Sequence, residues 1–68
     1  MIRNDQELRT TLERIERFRR LIEDLRRVET NPVNYRLSAG GFLNEIDRMN
    51  LDVREYLSLH PTELASIA

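Results

Sequence analysis

Apolar residues recur every three or four positions in the first part of the chain, from Leu8 onwards. This spacing places them on one face of an α-helix, while the charged residues between them fall on the other faces. We therefore predict a helix over about residues 5–28. Its apolar face consists of Leu8, Leu12, Ile15, Phe18, Ile22 and Leu25, with Leu21 and Val28 at the flanks.

The start of this helix is marked by residues that can satisfy its free backbone N–H groups. Asn4 has a side chain suited to an N-cap, and Glu7 stands three positions later, where a capping box places an acid. Acid-first pairs such as Glu13 with Arg17 are four residues apart, and each adds about 0.2–0.5 kcal/mol. These features favour a helix that begins close to residue 5.

The pattern is interrupted at Asn31-Pro32. Pro32 cannot continue a helix but suits the opening of the next one, with Asn31 as its cap. We predict a loop at 29–32, a second helix over about 33–59 and a tail at 60–68. The second apolar face consists of Ala39, Phe42, Leu43, Ile46, Met49, Val53, Tyr56 and Leu57.

Gly40 and Gly41 fall inside the opening turns of this second helix. Each glycine should cost about 1 kcal/mol relative to alanine in a helix interior. Either the helix is continuous and the glycines admit a close neighbour, or it begins near Ser38. We expect a continuous helix.

Two helices of matched length with a short loop predict an all-α fold, an antiparallel αα-hairpin. Charge supports the pairing, because residues 9–27 hold seven arginines against four acids, whereas residues 28–68 hold three against six. A single hairpin would still leave part of each apolar face exposed. We therefore expect a homodimer, a four-helix bundle with coiled-coil-like packing. It would cover Leu12, Leu21, Leu43 and Leu57.

The composition also favours association. A core of fewer than about 70–80 residues rarely supplies more than about 3–5 kcal/mol, and small folds often add disulfides, a metal or a partner chain. This chain has 68 residues, no cysteine and one histidine, His60. Acid pairs such as Glu13 and Glu16 lack the Glu-x-x-His spacing of carboxylate metal bundles. We expect no metal, no cofactor and a partner chain instead.

Catalytic residues are hard to assemble from this sequence. A hydroxyl nucleophile needs an adjacent base, and His60 is the only candidate. His60 precedes Pro61 and is better interpreted as a helix end. The aromatic residues Phe18, Phe42 and Tyr56 are typical of core positions, with the Tyr56 hydroxyl near water at the bundle end. We expect that the protein is not an enzyme.

The net charge of −1 argues against a general polyanion binder. No apolar stretch is long enough to span a membrane, and we expect a cytoplasmic protein. Four arginines of the first helix remain candidates for contact with a partner or with phosphate, although a solvated face with ion pairs is favoured. They carry the alternative function, a small nucleic-acid-associated accessory protein. They are Arg14, Arg17, Arg20 and Arg27.

Several segments resemble the N-terminal helical hairpin of Xre/HigA-type antitoxin regulators. The opening Ile2-Arg3-Asn4-Asp5-Gln6-Glu7-Leu8 and the following Leu12-Glu13-Arg14-Ile15-Glu16-Arg17-Phe18 are similar to the first helix of that group. The segments at residues 42–49 and 53–57 are similar to its second helix. The similarity covers about residues 2–57, and its motifs are amphipathic-helix patterns.

In those regulators the hairpin precedes a helix-turn-helix domain, and we expect no such domain here. The resemblance therefore implies an oligomerisation or partner-binding arm without the DNA reader. We expect a non-catalytic protein–protein interaction and self-association module. Its role would be antitoxin-like or that of a regulatory accessory protein, with a cognate protein as a further partner.

Overall fold

The computed structural model describes residues 1–63 and consists of two helices. The first, α1, spans Asp5–Val28, and the second, α2, spans Pro32–Leu57. They pack against each other in opposite directions as a rod measuring 50 × 16 × 13 Å. The predicted all-α helical hairpin is confirmed. The end of the predicted tail, 64–68, lies outside the described residues.

The N-terminus of α1 is held by two side chains. The Asn4 side chain accepts a hydrogen bond from the Glu7 N–H at 2.8 Å, so Asn4 is the N-cap. The Glu7 carboxylate accepts from the Arg3 N–H at 2.8 Å. A usual capping box returns to the N–H of the cap residue itself. Here the carboxylate reaches one residue further back, which fixes the backbone before the helix.

The start of α2 follows from Asn31 and Pro32. The Asn31 side chain accepts from the N–H groups of Val33 and Asn34, at 2.9 and 3.3 Å. Pro32 occupies the first helical position, where a missing N–H is not needed. The helix therefore begins one residue earlier than the predicted bound of 33.

The helix continues unbroken through Gly40 and Gly41, as predicted. Neither glycine has a positive φ angle. A Cβ atom added at either position would meet nothing within 4 Å. Within the hairpin, therefore, no close neighbour requires these glycines.

α2 ends two residues before the predicted bound of 59. Ser58 is the C-cap, and its N–H donates to the Arg54 carbonyl at 3.0 Å. A further turn follows at His60, whose carbonyl accepts from the Glu63 N–H at 2.9 Å. The Glu63 carboxylate in turn accepts from the His60 N–H at 3.1 Å. His60 thus caps a turn.

The core is a narrow seam between the helices. Phe18 and Phe42 meet across it edge to face, with ring centroids 5.5 Å apart and an interplanar angle of 68°. Leu25 and Val53 are partly buried against the same seam, and Leu8 is half-buried. The buried residues are Ile2, Ile15, Ile22, Ala39, Ile46, Met49 and Tyr56.

Two of the packed residues were missed by the sequence prediction. Ile2 precedes α1 and is buried, and Tyr35 is partly buried against the core. The signal for Tyr35 was its position seven residues before Phe42, which extends the same column of the helix. An apolar residue just before an N-cap, such as Ile2, often packs back onto the helix.

Candidate interaction surfaces

Much apolar surface lies outside the seam. Leu12, placed by the sequence in the packed face of α1, is 45% exposed. Among the described residues, only Ala39 is less than 2% exposed. Two helices bury one stripe each, so apolar residues beside the stripe remain in contact with solvent. The large exposed apolar residues are Met1, Leu12, Leu21, Val28, Val33, Leu37, Leu43, Leu51 and Leu57.

Leu12 and Leu21 lie on opposite sides of α1. They are nine residues apart, which corresponds to a rotation of about 900°, or two and a half turns. A single flat contact between two hairpins can cover one of them but not both. The face-to-face dimer expected from the sequence would therefore leave one side of the hairpin exposed.

One side of the hairpin, here called the basic edge, contains an apolar groove of about 450 Å³. Its lining includes the core residues Ile15, Ile22 and Ile46, with Arg19, Glu23 and Arg26 of α1 at the border. Heptad spacing adds further residues to this side. The basic edge consists of Asp5, Leu12, Arg19 and Arg26 from α1 and Arg36, Leu43, Asn50 and Leu57 from α2.

The three arginines of the basic edge have no hydrogen-bond or ion-pair partner within residues 1–63. Arg26 and Arg36 together line a second, shallower pocket beside the loop. Carboxylates lie beside these arginines, because Glu23 lines the groove and Glu29 lines the pocket beside the loop. Asp5, at the far end of this edge, accepts a hydrogen bond from Tyr56. The basic edge therefore combines apolar surface with charges of both signs.

The opposite side, here called the acidic edge, has a depression of about 670 Å³ near the N-terminus. Its charged lining comprises the N-terminal residue Met1, Arg3, Glu7, Arg14 and Asp52. The Asp52 carboxylate lies 3.7 Å from the N-terminal amine. The acidic edge consists of Glu7, Arg14, Leu21 and Val28 from α1 and Ser38, Glu45, Asp52 and Leu59 from α2.

The four arginines proposed for phosphate contact do not form a single basic stripe. Arg14 lies on the acidic edge, in the depression near Asp52. Arg20 pairs with Glu16 at 3.5 Å, and Arg27 pairs with Asp24. Interleaved acids reduce the attraction for a polyanion. The remaining arginine, Arg17, is exposed.

The described residues bring no metal-binding group together. Among them, no cluster of three or more His, Cys, Asp or Glu side chains could hold a metal ion. The imidazole of His60 lies 2.9 Å from the Thr62 hydroxyl, in the turn after α2. Neither helix is long and apolar enough to cross a membrane within residues 1–63.

Tyr56 links the two helices at the open end of the hairpin. Its hydroxyl donates to Asp5 at 2.6 Å. That hydrogen bond, partial desolvation and the negative charges of Asp5 and Glu7 raise the Tyr56 pKa above its usual value of 10.0. The hydroxyl lies at the open end of the hairpin, as expected, and there it binds the carboxylate.

Comparison with known proteins adds no family or function. No protein-family model matches the chain, and no match was found among curated proteins or solved structures. The resemblance to Xre/HigA-type regulators therefore stays a prediction.

Proposed function

We propose that this hairpin is a non-catalytic protein-interaction module that first associates with copies of itself. The observation that supports the proposal is the apolar surface exposed at both edges of a core that is only a seam. Leu43 at the basic edge is 47% exposed and Leu21 at the acidic edge is 42% exposed. Isolated exposed leucines are common, but here they follow the seam on both sides.

The energetic argument is that a second copy would cover apolar surface that the packing of α1 on α2 leaves exposed. Each Å² of apolar surface removed from water contributes about 25 cal/mol. A hairpin of this size has little stability of its own, so covering its edge leucines is a large relative gain. Association would also stabilise the fold, with a dependence on protein concentration.

An antitoxin-like or regulatory accessory role is the biological context that we propose for this module. The support is the resemblance of residues 2–57 to the helical hairpin of Xre/HigA-type regulators. In this proposal, a cognate toxin or regulator binds an assembled form of the protein.

The proposal is tested by light scattering on purified protein across a dilution series from millimolar to low micromolar. We expect an average mass well above the 8.1 kDa of one chain, falling as the protein is diluted. Circular dichroism on the same samples should show that the associated protein is helical. A folded species of 8.1 kDa at every concentration would contradict self-association.

A further inference from the structure

We infer that two copies of this hairpin pack through their basic edges, with α1 antiparallel to α1 of the second copy and α2 antiparallel to α2. The inference rests on the proposed self-association and specifies its interface. The two copies are related by a two-fold axis perpendicular to the helices, so the same residues contribute from both sides. The product is a four-helix bundle in which each hairpin covers the groove of the other.

The groove favours the basic edge over the acidic edge as the buried side. At the groove, the core side chains of Ile15, Ile22 and Ile46 border open space. The depression on the acidic edge is lined mainly by polar side chains. One charge pair is already made there, because the Asp52 carboxylate lies 3.7 Å from the N-terminal amine. Burial of apolar surface drives most association, so the groove is the more favourable side to cover.

The charges that α1 places on this side suit an antiparallel copy of α1. Glu23 lines the groove, and Arg9 stands two heptads before it in the same column of the helix. When Asp5 is opposite Arg26 of the second copy, Arg9 is opposite Glu23 to within one residue, because both pairs are centred on Glu16. The two-fold axis makes each of these oppositely charged contacts twice.

The groups that form these contacts are available in the single hairpin. The side chains of Arg9, Glu23 and Arg26 have no hydrogen-bond or ion-pair partner within residues 1–63. The Asp5 carboxylate accepts one hydrogen bond from Tyr56, and a carboxylate can accept several. Complementary charge at an interface determines orientation and register.

Two other carboxylates of this side face their own counterparts. Glu16 lies at the two-fold axis, and Asp47 lies within one helical turn of the same height, because Phe18 meets Phe42 across the seam. Arg19 of the second copy lies within one turn of Glu16 and offsets that repulsion. The two Asp47 side chains remain a repulsive contact, fewer in number than the attractive contacts along α1.

The other symmetric arrangement of two basic edges opposes like charges. It places α1 over α2 of the second copy, with residues of equal height facing each other. Arg26 would face Arg36, since both line the pocket beside the loop. Arg9 would face Arg54, whose height agrees with it to within one helical turn. Like charges brought together disfavour this orientation.

The inferred arrangement also covers the leucines of the basic edge. Leu12 stands one turn from Glu16 towards the open end of the hairpin, and Leu43 stands one turn from Asp47 towards the loop. The two-fold axis exchanges the two ends, so Leu43 of the second copy comes to lie beside Leu12. Both side chains are close to half exposed in the single hairpin. Leu21, on the acidic edge, stays exposed.

Single cysteines test the position of the two-fold axis, since the chain has no cysteine of its own. Glu16→Cys and Asp47→Cys each place a thiol close to its counterpart in the second copy. Each variant alone should give a covalent dimer with a short bis-maleimide crosslinker. The matched control is Glu13→Cys on the outer face of α1, which should remain a single chain on a denaturing gel. In the other symmetric arrangement, only a mixture of the first two variants would crosslink.

Charge reversal tests the orientation independently. Arg9→Glu and Glu23→Arg each bring like charges together, so each should raise the association midpoint about tenfold in concentration, measured by light scattering. A chain with both changes again has opposite charges in contact and should return to within a factor of about two of the parent. Arg17→Glu is the matched control, because Arg17 lies equally far from the seam on the other side of α1. It should leave the midpoint unchanged within the same factor.

Three results would overturn the inference while leaving self-association intact. The first is a Glu16→Cys protein that crosslinks no better than the Glu13→Cys control. The second is an Arg9→Glu protein that associates more tightly than the parent, as opposition to Arg54 would require. The third is a doubly changed chain that stays as weak as the single variants. A parent protein that remains a folded monomer overturns both this inference and the proposed function. Circular dichroism on every variant verifies that it is folded.

Discussion

The Tyr56 hydroxyl donates a hydrogen bond to the Asp5 carboxylate at 2.6 Å across 51 residues of sequence. It joins the last turn of α2 to the first turn of α1. The tyrosine ring is buried in the seam while its polar end reaches the carboxylate, the usual arrangement for a buried tyrosine. The contact therefore fixes the open end of the hairpin, opposite the loop.

This contact predicts a loss of stability in alkaline solution. The Tyr56 pKa is raised in the folded state, so the folded protein holds the phenolic proton more tightly than the unfolded chain. The stabilisation is complete below the unfolded value of about 10 and disappears as the pH rises through the folded value. Ultraviolet titration of a Tyr35→Phe variant, which isolates Tyr56, should give a midpoint above 10. A midpoint at or below that of the urea-unfolded variant would contradict the contact.

Removing the hydroxyl alone should weaken the same end of the hairpin. Tyr56→Phe keeps the buried ring and loses the hydrogen bond, so the free energy of unfolding should fall. Tyr35→Phe is the matched control because the Tyr35 hydroxyl has no hydrogen bond within residues 1–63. Urea unfolding followed by circular dichroism measures both variants. Equal midpoints for the two would show that the bond to Asp5 contributes nothing.

Truncating a residue of the seam should remove most of the stability. Ile46 is buried, and Ile46→Ala should lower the free energy of unfolding by about 2–5 kcal/mol. This amount approaches the whole stability of so small a core. Leu37 is 74% exposed, and Leu37→Ala should change the free energy of unfolding by no more than about 0.5 kcal/mol. If the Ile46→Ala protein had the same urea midpoint as the parent, Ile46 would not be part of the core.

Replacing either of the two glycines in α2 should increase the stability of the protein. Gly40 and Gly41 are helical, and an added Cβ has open space at either position. Gly40→Ala and Gly41→Ala should each stabilise the dilute protein by about 0.4–1 kcal/mol, because alanine loses less backbone entropy in a helix. Thermal unfolding at low concentration measures the change. Destabilisation would mean that a neighbouring chain approaches the backbone there.

The edge leucines should control association more than folding. Leu43→Gln removes apolar surface from the basic edge, so it should weaken self-association by about tenfold or more while leaving helicity unchanged. Leu37→Gln makes the same chemical change on the outer face of α2. Sedimentation or light scattering across a dilution series compares them. If both variants associate like the parent, Leu43 does not lie at the interface.

Local sequence signals predicted both helices and the capping residues at their N-termini. Asn4 and Asn31 cap α1 and α2 as expected, because a cap depends on residues two or three positions apart. The spacing of apolar residues identified the faces that meet in the seam. The errors concern α2, which begins one residue earlier and ends two residues earlier than predicted. Helix ends depend on weak local terms and are the least predictable part of an element.

The sequence by itself determined that this protein is a hairpin of two amphipathic helices, since periodicity and caps act within a few residues of each other. Only the tertiary structure decided which side each residue beside the seam occupies. Leu12 and Leu43 share the basic edge, while Leu21 lies across the hairpin from them. The physical reason is that an edge is formed by two helices in a fixed register. The bond from Tyr56 to Asp5 likewise exists only after both chain ends have been brought together.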